Sequence, residues 1–355
     1  MLSSPGFAAA NGRVVSFYVA TILLLVLLAA CTTETTTDPA SETDSTAGPT
    51  AVPTATPIPY ETFATAEIPP ADPERLAQLT NLLSLVPVEF GSAVYLDLEF
   101  LRSNEALAGL ISPEGLSMAV ALPSFATGVV NTVAMASNQE GNGLLTPFQS
   151  TFQIGDLLKV AGGFGLQLGG DGPTSYEGHD VWDVGLLGTN VTMATADDTT
   201  GVAASGRGIT DEAVRGLVES SLDAFDGRSA TLIDTPGLTG LLGDVPSGFA
   251  AAVLSKCDVF PLLSSISGTD GCIRVAVSAD ILPGELIVLH GLIGFADQDS
   301  AAAAMELTSR ALGNEKLAQE FVDLGVRQEK ENLRVRLIVD ADKFGGAFAL
   351  FAPRN

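Results

Sequence analysis

The stretch LTNLLSLVPVEFGSAV at residues 79–94 returns as LTGLLGDVPSGFAAAV at residues 238–253. The copies keep a constant offset of 159 and share the pattern L-T-x-L-L-x-x-V-P-x-x-F-x-x-A-V, with nine of 16 positions identical. Leucines at helical spacing, followed by Pro and then Phe, predict a helix that gives way to a strand. We therefore expect one structural unit to occur twice; the alternative is a chance match between low-complexity segments.

The elements predicted around the two copies follow the same order in residues 76–234 and residues 235–355. Helices are predicted from Asp72, within 150–160 and after the N-cap Thr210 in the first half, and within 300–312 and 315–324 in the second. Predicted strands are 116–122, 129–136, 164–168, 180–184, 191–195 and 202–205, then 273–279, 286–295, 326–328, 333–339 and 347–351. Strands that follow one another without intervening helices disfavour a doubly wound parallel sheet. The predicted fold class is α+β, with two duplicated halves, each a mostly antiparallel sheet backed by helices.

The composition limits the partners that the chain can bind. It has 355 residues with 17 Lys and Arg against 42 Asp and Glu, a formal charge of −25. This charge disfavours nucleic acid, because phosphate binding needs clustered basic residues. A hydrophobic content of 46% argues against global disorder, and two histidines leave little for a His-rich metal site.

The first 30 residues are predicted to be a signal peptide. One charge, Arg13, precedes an apolar run over residues 14–30 that ends in Leu28-Ala29-Ala30-Cys31. This ending resembles the bacterial lipobox. The resemblance implies that Cys31 becomes the lipid-bearing N-terminus and holds the protein on a membrane, outside the cytoplasm. The alternative is an uncleaved transmembrane anchor, because 17 apolar residues lie at the lower limit for a span.

Residues 31–75 are predicted to form a disordered tether. Thr, Pro and small residues dominate this segment, and few large apolar side chains occur. Such a chain cannot bury enough surface to offset the entropy of ordering, and its prolines favour an extended spacer.

Two cysteines remain after Cys31. Cys257 and Cys272 lie 15 residues apart, and an even pair in an oxidising compartment favours a disulfide. No His or Cys partners stand nearby in the sequence, which makes a metal or catalytic role for these thiols less plausible.

The candidates for metal binding are Glu177, His179 and Asp183, which would share one face of a strand, with Asp197 and Asp198 in a turn shortly after. The alternative is a solvated strand face beside a tight turn at Gly178. Since no motif has metal-ligand spacing, we predict neither a metal nor a cofactor.

Other polar residues of the second half have structural interpretations. His290 lies in an apolar run and is expected to be a core or edge histidine with a satisfied hydrogen bond. The basic residues Arg334 and Arg336 alternate with apolar ones, which predicts a basic solvent face that prevents edge pairing. The alternative is a docking surface for an acidic partner or for the acidic half of this chain; Arg327, Lys330 and Lys343 lie in the same region.

Motif searches identify no catalytic residues: G-x-S-x-G, S-x-x-K and H-E-x-x-H are all missing from the sequence. With its lipobox, Thr/Pro tether and repeat, the chain resembles two-repeat bacterial cell-surface lipoproteins of unknown function. We expect a membrane-anchored extracytoplasmic module that binds a protein or small molecule without catalysis. The first alternative is a cell-envelope hydrolase using carboxylates, and the second is a lipid-anchored solute-binding receptor.

Overall fold

The computed structural model describes residues 68–104, 107, 128–138, 142–156, 167–168, 172–186, 189–206, 208–255, 257, 272–312 and 322–341. The predicted signal peptide, Cys31 and most of the predicted tether lie outside this part of the chain. Within the described residues, no helix is both long and apolar enough to cross a bilayer.

Helices of the described part begin where the sequence supplies caps. They are α1 (Pro73–Leu83), α2 (Leu98–Ser103), α3 (Asp211–Phe225), α4 (Leu238–Gly243) and α5 (Gln298–Leu312). Asp72 caps α1 by accepting hydrogen bonds from the backbone N–H groups of Glu74 and Arg75. Thr210 caps α3 by accepting from the N–H of Ala213, as predicted.

The described strands form one antiparallel sheet of 13 strands. They are β1 (Ser92–Asp97), β2 (Val130–Ser137), β3 (Gly143–Ser150), β4 (Gln167–Leu168), β5 (Thr174–Tyr176), β6 (His179–Leu186), β7 (Thr189–Thr195), β8 (Thr200–Gly206), β9 (Ala250–Leu254), β10 (Cys272–Leu282), β11 (Leu286–Phe295), β12 (Asp323–Glu329) and β13 (Asn332–Asp340). The spatial order is β12-β13-β11-β10-β9-β1-β2-β3-β8-β7-β6-β4, with β5 paired to β6. We call β2–β8 the first wing and β10–β13 the second wing.

The α+β class with antiparallel pairing is confirmed, although the strands of both halves join in a single sheet rather than two. The repeated segments meet at its centre, where β1 pairs with β9. Ala93 pairs with Val253 and Val94 pairs with Ala252. In the repeat, Ala93 corresponds to Ala252 and Val94 corresponds to Val253. Exchanging the two copies therefore reproduces the same two pairs. The duplication of whole halves stays a prediction.

One face of the sheet, which we call the α3 face, is covered by α1, α3 and α4. Ala93 and Tyr95 of β1 point to this face and pack with Leu82 of α1, Val218 of α3 and Leu241 of α4. All five side chains are buried. Burial of each large apolar side chain contributes about 1.5–3 kcal/mol.

The opposite face, which we call the α5 face, is covered by α2 and α5. Val94 and Leu96 point to it and pack in a second apolar cluster that includes Leu101 of α2 and Ala301 of α5. The sheet therefore lies between two helical layers. Side chains that point to either face of a strand can be buried.

Several predicted boundaries differ from the structure. Residues 143–150 form β3, where no strand was predicted, and residues 154–156 are helical, so the helix predicted within 150–160 begins late. The helix predicted over 315–324 overlaps β12, which starts at Asp323. The strands predicted at 116–122 and 347–351 lie outside the described residues.

Candidate functional site

The hairpin of β5 and β6 carries the three residues predicted as metal candidates. Tyr176 pairs with His179, so Glu177 and Gly178 form a two-residue turn with positive φ angles of 49° and 93°. Glu177 is exposed in this turn. It does not share a strand face with His179 and Asp183, so that part of the prediction is wrong.

His179 is held on both sides of its ring. Nδ1 lies 2.9 Å from the carbonyl oxygen of Thr195, and Nε2 lies 2.9 Å from Oδ2 of Asp226, which follows α3. Both partners are acceptors, so the imidazolium form can donate to both. Burial opposes ionisation of Asp226, but hydrogen bonds and charge from His179 and Arg228 outweigh it and lower its pKa.

Asp183 is tied to α3 by Arg215. Its Oδ2 lies 3.2 Å from Nη1 of Arg215, and its Oδ1 accepts a hydrogen bond from the hydroxyl of Thr192. Arg215 also contacts Thr174 of β5 and forms an ion pair with Glu219 one turn along α3. Asp183 is thus engaged by a cation and a hydroxyl donor.

A third set of contacts joins the hairpin to the end of α3. The Tyr176 hydroxyl lies 3.1 Å from both carboxylate oxygens of Asp223, and burial together with this hydrogen bond raises the pKa of Tyr176. Arg228 pairs with Asp223 at 2.7 Å and with Asp226 at 2.6 Å.

These contacts tie the hairpin to α3 and engage the side chains of His179 and Asp183. Among the described residues, no group of three or more His, Cys, Asp and Glu side chains is arranged to hold a metal ion. Asp197, in the turn after β7, accepts backbone N–H bonds from Thr199 and Thr200, so it shapes that turn.

The basic residues of the second wing do not form the predicted solvent face. Arg334 is only 6% exposed. Its Nε and Nη2 donate to the two carboxylate oxygens of Glu329 at 3.0 and 3.1 Å, and Nη1 donates to the carbonyl of Asp244 at 2.7 Å. Arg336 pairs with Asp323, and Arg327 pairs with Glu329. Lys343 lies outside the described residues.

Glu329 is the common partner of two of these arginines. Burial opposes its ionisation, but the hydrogen bonds and charges of Arg334 and Arg327 outweigh that effect and lower its pKa. The arginines of β12 and β13 are therefore fixed in place by carboxylates of the same wing.

His290 is a core histidine on an interior strand. It is 3% exposed, and its Nδ1 has no hydrogen-bond partner, so the predicted satisfied hydrogen bond is wrong for this atom. Burial, then the nearby charges of Arg336 and Arg334, lower its pKa to about 4. The imidazole is therefore neutral at pH 7.

The predicted disulfide is confirmed. Cys257 and Cys272 are bonded, with Cα atoms 5.8 Å apart and 15 positions between them in sequence. Because Cys272 begins β10, the bond joins the chain just after β9 to the start of its neighbour in the sheet.

Comparisons with known proteins identify no family for this chain. No family model matches it, and no curated protein matches it significantly. Among solved structures, crystal forms I, III and IV of TP0453 match with TM-scores of 0.42, 0.41 and 0.41, each at 8% identity. The matches cover 80–81% of this chain and 98–100% of the other. At these values the likeness carries no statement about function.

Sequence reasoning missed the polar row of the second wing. Ser278 pairs with His290, and His290 pairs with Arg336, so the three lie side by side on the α3 face. Ser278 and His290 are 2% and 3% exposed. The sequence did contain a signal for this row: each of three predicted strands carries a polar residue among apolar ones.

Proposed function

We propose that the protein is a lipid-anchored, extracytoplasmic binding module without catalytic activity. Cys31 would carry the lipid, residues 31–75 would form the spacer, and the sheet with its helices would be the binding domain. The observation that carries the extracytoplasmic placement is the Cys257–Cys272 disulfide. Stable disulfides are typical of oxidising compartments and rare in the cytosol.

The ionisable groups support binding rather than hydrolysis. A hydrolase that uses carboxylates needs one carboxyl group with a raised pKa to act as the acid. The shifted pKa values of Asp226, Asp234, Asp297 and Glu329 all lie below the ordinary range. Backbone and hydroxyl donors of Thr231 and Ser300 are the main cause for Asp234 and Asp297. These four groups are stable carboxylates, not proton donors.

The sheet also argues against a two-lobed solute receptor. Such receptors usually have lobes with parallel sheets, whereas the described strands here pair antiparallel throughout one sheet. We place the binding role on the α3 face of the second wing, because the buried polar row there is not explained by packing.

The anchoring proposal is tested by the intact mass of the protein purified from membranes. We expect wild type to begin at Cys31 and to carry a diacylglyceryl group. Cys31→Ala should keep residues 1–30 and carry no lipid, and Thr32→Ala is the matched control that should be processed like wild type. Wild-type protein that retains residues 1–30 would instead support the uncleaved transmembrane anchor.

A second measurement tests the compartment. In protein purified without reductant, Cys257 and Cys272 should resist maleimide labelling until the disulfide is reduced. Immediate labelling of both thiols in the native protein would contradict the extracytoplasmic placement.

A further inference from the structure

We propose that the α3 face of the second wing binds a small oxyanion, a carboxylate or a phosphate group, at the row formed by Ser278, His290 and Arg336. This inference rests on the binding role proposed above and gives that role a ligand class.

The first argument is the presence of buried polar atoms without partners. In the proposed row these are Ser278 Oγ and His290 Nδ1, whose residues are directly paired on β10 and β11. A buried polar group left without a hydrogen bond costs about 1–3 kcal/mol, and native proteins satisfy nearly all such groups. Two such atoms on directly paired residues therefore indicate a partner that the described residues do not provide.

The second argument is the geometry of the row. Ser278 is directly opposite His290, and His290 is directly opposite Arg336. Directly paired residues on one face have Cβ atoms about 4.5–5.5 Å apart. The hydroxyl of Ser278 and the Nδ1 of His290 can therefore approach one bound group from two neighbouring strands.

The third argument is charge. The chain has a strong excess of acids, yet Arg327, Arg334 and Arg336 occupy adjacent positions on this face, because Arg334 pairs with Arg327 across the strands. Glu329 and Asp323 hold these guanidinium groups in place.

Ser278 and His290 offer donors beside the guanidinium group of Arg336, and this combination suits an anion. A serine hydroxyl donates, a neutral imidazole donates from Nδ1 in one tautomer, and guanidinium groups recognise carboxylate and phosphate. Because Ser278 and His290 are almost fully enclosed, the bound group must be small. It is an inorganic oxyanion or the terminal acid group of a longer molecule.

The first wing provides an internal contrast. On the same face, α3 covers β7 and β8 through Val218, which packs in one cluster with Ala194, Val202 and Ala204. A helix closes the face there, and the polar side chains of His179 and Asp183 are partnered by Asp226 and Arg215. The row in the second wing differs because Ser278 Oγ and His290 Nδ1 are buried without such partners.

The test is a histidine NMR titration of the full-length protein in detergent. The chain has only two histidines, so His179→Gln assigns the Cε1–H resonances of both. Inorganic phosphate, acetate and sodium chloride are added in parallel at equal ionic strength, which removes the effect of screening. We expect the His290 resonance to shift saturably with phosphate or with acetate. The anion that causes the shift shows whether the site prefers a phosphate group or a carboxylate.

Two matched variants test whether binding depends on the proposed row. Ser278→Ala should weaken binding of that anion about tenfold, the effect of one hydrogen bond to a charged group. Thr146→Val is the control, because Thr146 Oγ1 is also buried without a partner but lies on β3 of the first wing. It should leave the affinity unchanged.

Three outcomes overturn the oxyanion site: equal effects of all three salts, no saturation at His290, or equal weakening by both variants. None of them bears on the anchoring proposal, which is decided separately by the mass of the N-terminus.

Discussion

The buried imidazole of His290 should make the protein lose stability when the pH falls from about 6.5 to about 4. Its pKa is about 4 in the folded protein, against 6.5 for an ordinary histidine. In this window the unfolded chain binds a proton that the folded protein does not bind. Stability therefore decreases as the pH falls, and the loss is complete below the folded pKa.

The magnitude follows from the difference between the two pKa values, about 2.5. One pKa unit corresponds to about 1.36 kcal/mol. Protonation of His290 in the unfolded chain therefore lowers the free energy of unfolding by about 3 kcal/mol between pH 7.5 and pH 4. This is a large part of the 5–15 kcal/mol that is typical of a folded domain.

The assay is urea unfolding of wild type and His290→Gln at pH 7.5 and pH 4, in buffers without phosphate or carboxylate. Carboxyl groups titrate in both proteins, so their contribution cancels in the comparison. Wild type should lose about 3 kcal/mol more than His290→Gln between the two pH values. His179→Gln is the control and should keep the His290 contribution.

Equal losses in wild type and His290→Gln would refute the argument. Direct titration of the His290 Cε1–H resonance in the wild-type protein provides a second measurement that does not depend on how the variant folds. A midpoint near 6.5 would show that the neighbouring arginines and burial do not act as described.

Three other changes have effects that follow from local structure. Gly248→Ala should destabilise the fold by about 1–3 kcal/mol or more in thermal unfolding, because the new Cβ would lie 1.9 Å from the carbonyl oxygen of Ala279. Gly240→Ala, whose Cβ meets nothing within 4 Å inside α4, should be neutral or stabilising by up to about 1 kcal/mol, and equal losses for both would contradict this reasoning. Replacing Cys257 and Cys272 by Ser should cost about 3 kcal/mol in urea unfolding, from a closed loop of 15 residues, and an unchanged midpoint would contradict that expectation.

The sequence predicts the centre of the fold well because its signals there are local. Asp72 and Thr210 are caps whose side chains reach N–H groups two or three residues away, and both act as expected. The repeated pattern places a helix before each of the two central strands. Neither signal shows that β1 and β9 are neighbours, because that contact joins residues about 159 positions apart.

The missed strand β3 has a physical reason. It lies in the interior of the sheet between β2 and β8 and contains Pro147, which is paired with Val202. Proline cannot donate a hydrogen bond and normally argues against an interior strand. Here tertiary packing overrides that local preference.

The interpretation of Glu177, His179 and Asp183 was incomplete for a different reason. The hairpin sequence shows which side chains are near each other, but not which groups another element brings to them. Arg215 and Asp226 come from α3 and its end, 32 and 47 positions after Asp183 and His179. They occupy the oxygen and nitrogen atoms that a metal would have needed.

The alternation of polar and apolar residues along a strand also fails to show which face of this sheet is exposed to solvent. The alternation of Arg334 and Arg336 with apolar residues predicts correctly that both arginines share a face. It assigns that face to solvent, as in a sheet covered on one side only. Here Glu329 and the carbonyl of Asp244 enclose Arg334, so the same alternation places this arginine inside.

The two histidines show how the same side chain takes different roles on one face of the sheet. His179 lies between the carbonyl of Thr195 and the carboxylate of Asp226, so both of its ring nitrogens have hydrogen-bond partners. His290 lies beside Arg336 and opposite Ser278, so its neighbours oppose its charge and leave Nδ1 without a partner. The first arrangement is complete within the chain and serves to join a hairpin to a helix. The second leaves His290 Nδ1 and the Ser278 hydroxyl without partners among the described residues, and an oxyanion is the partner that would accept hydrogen bonds from both.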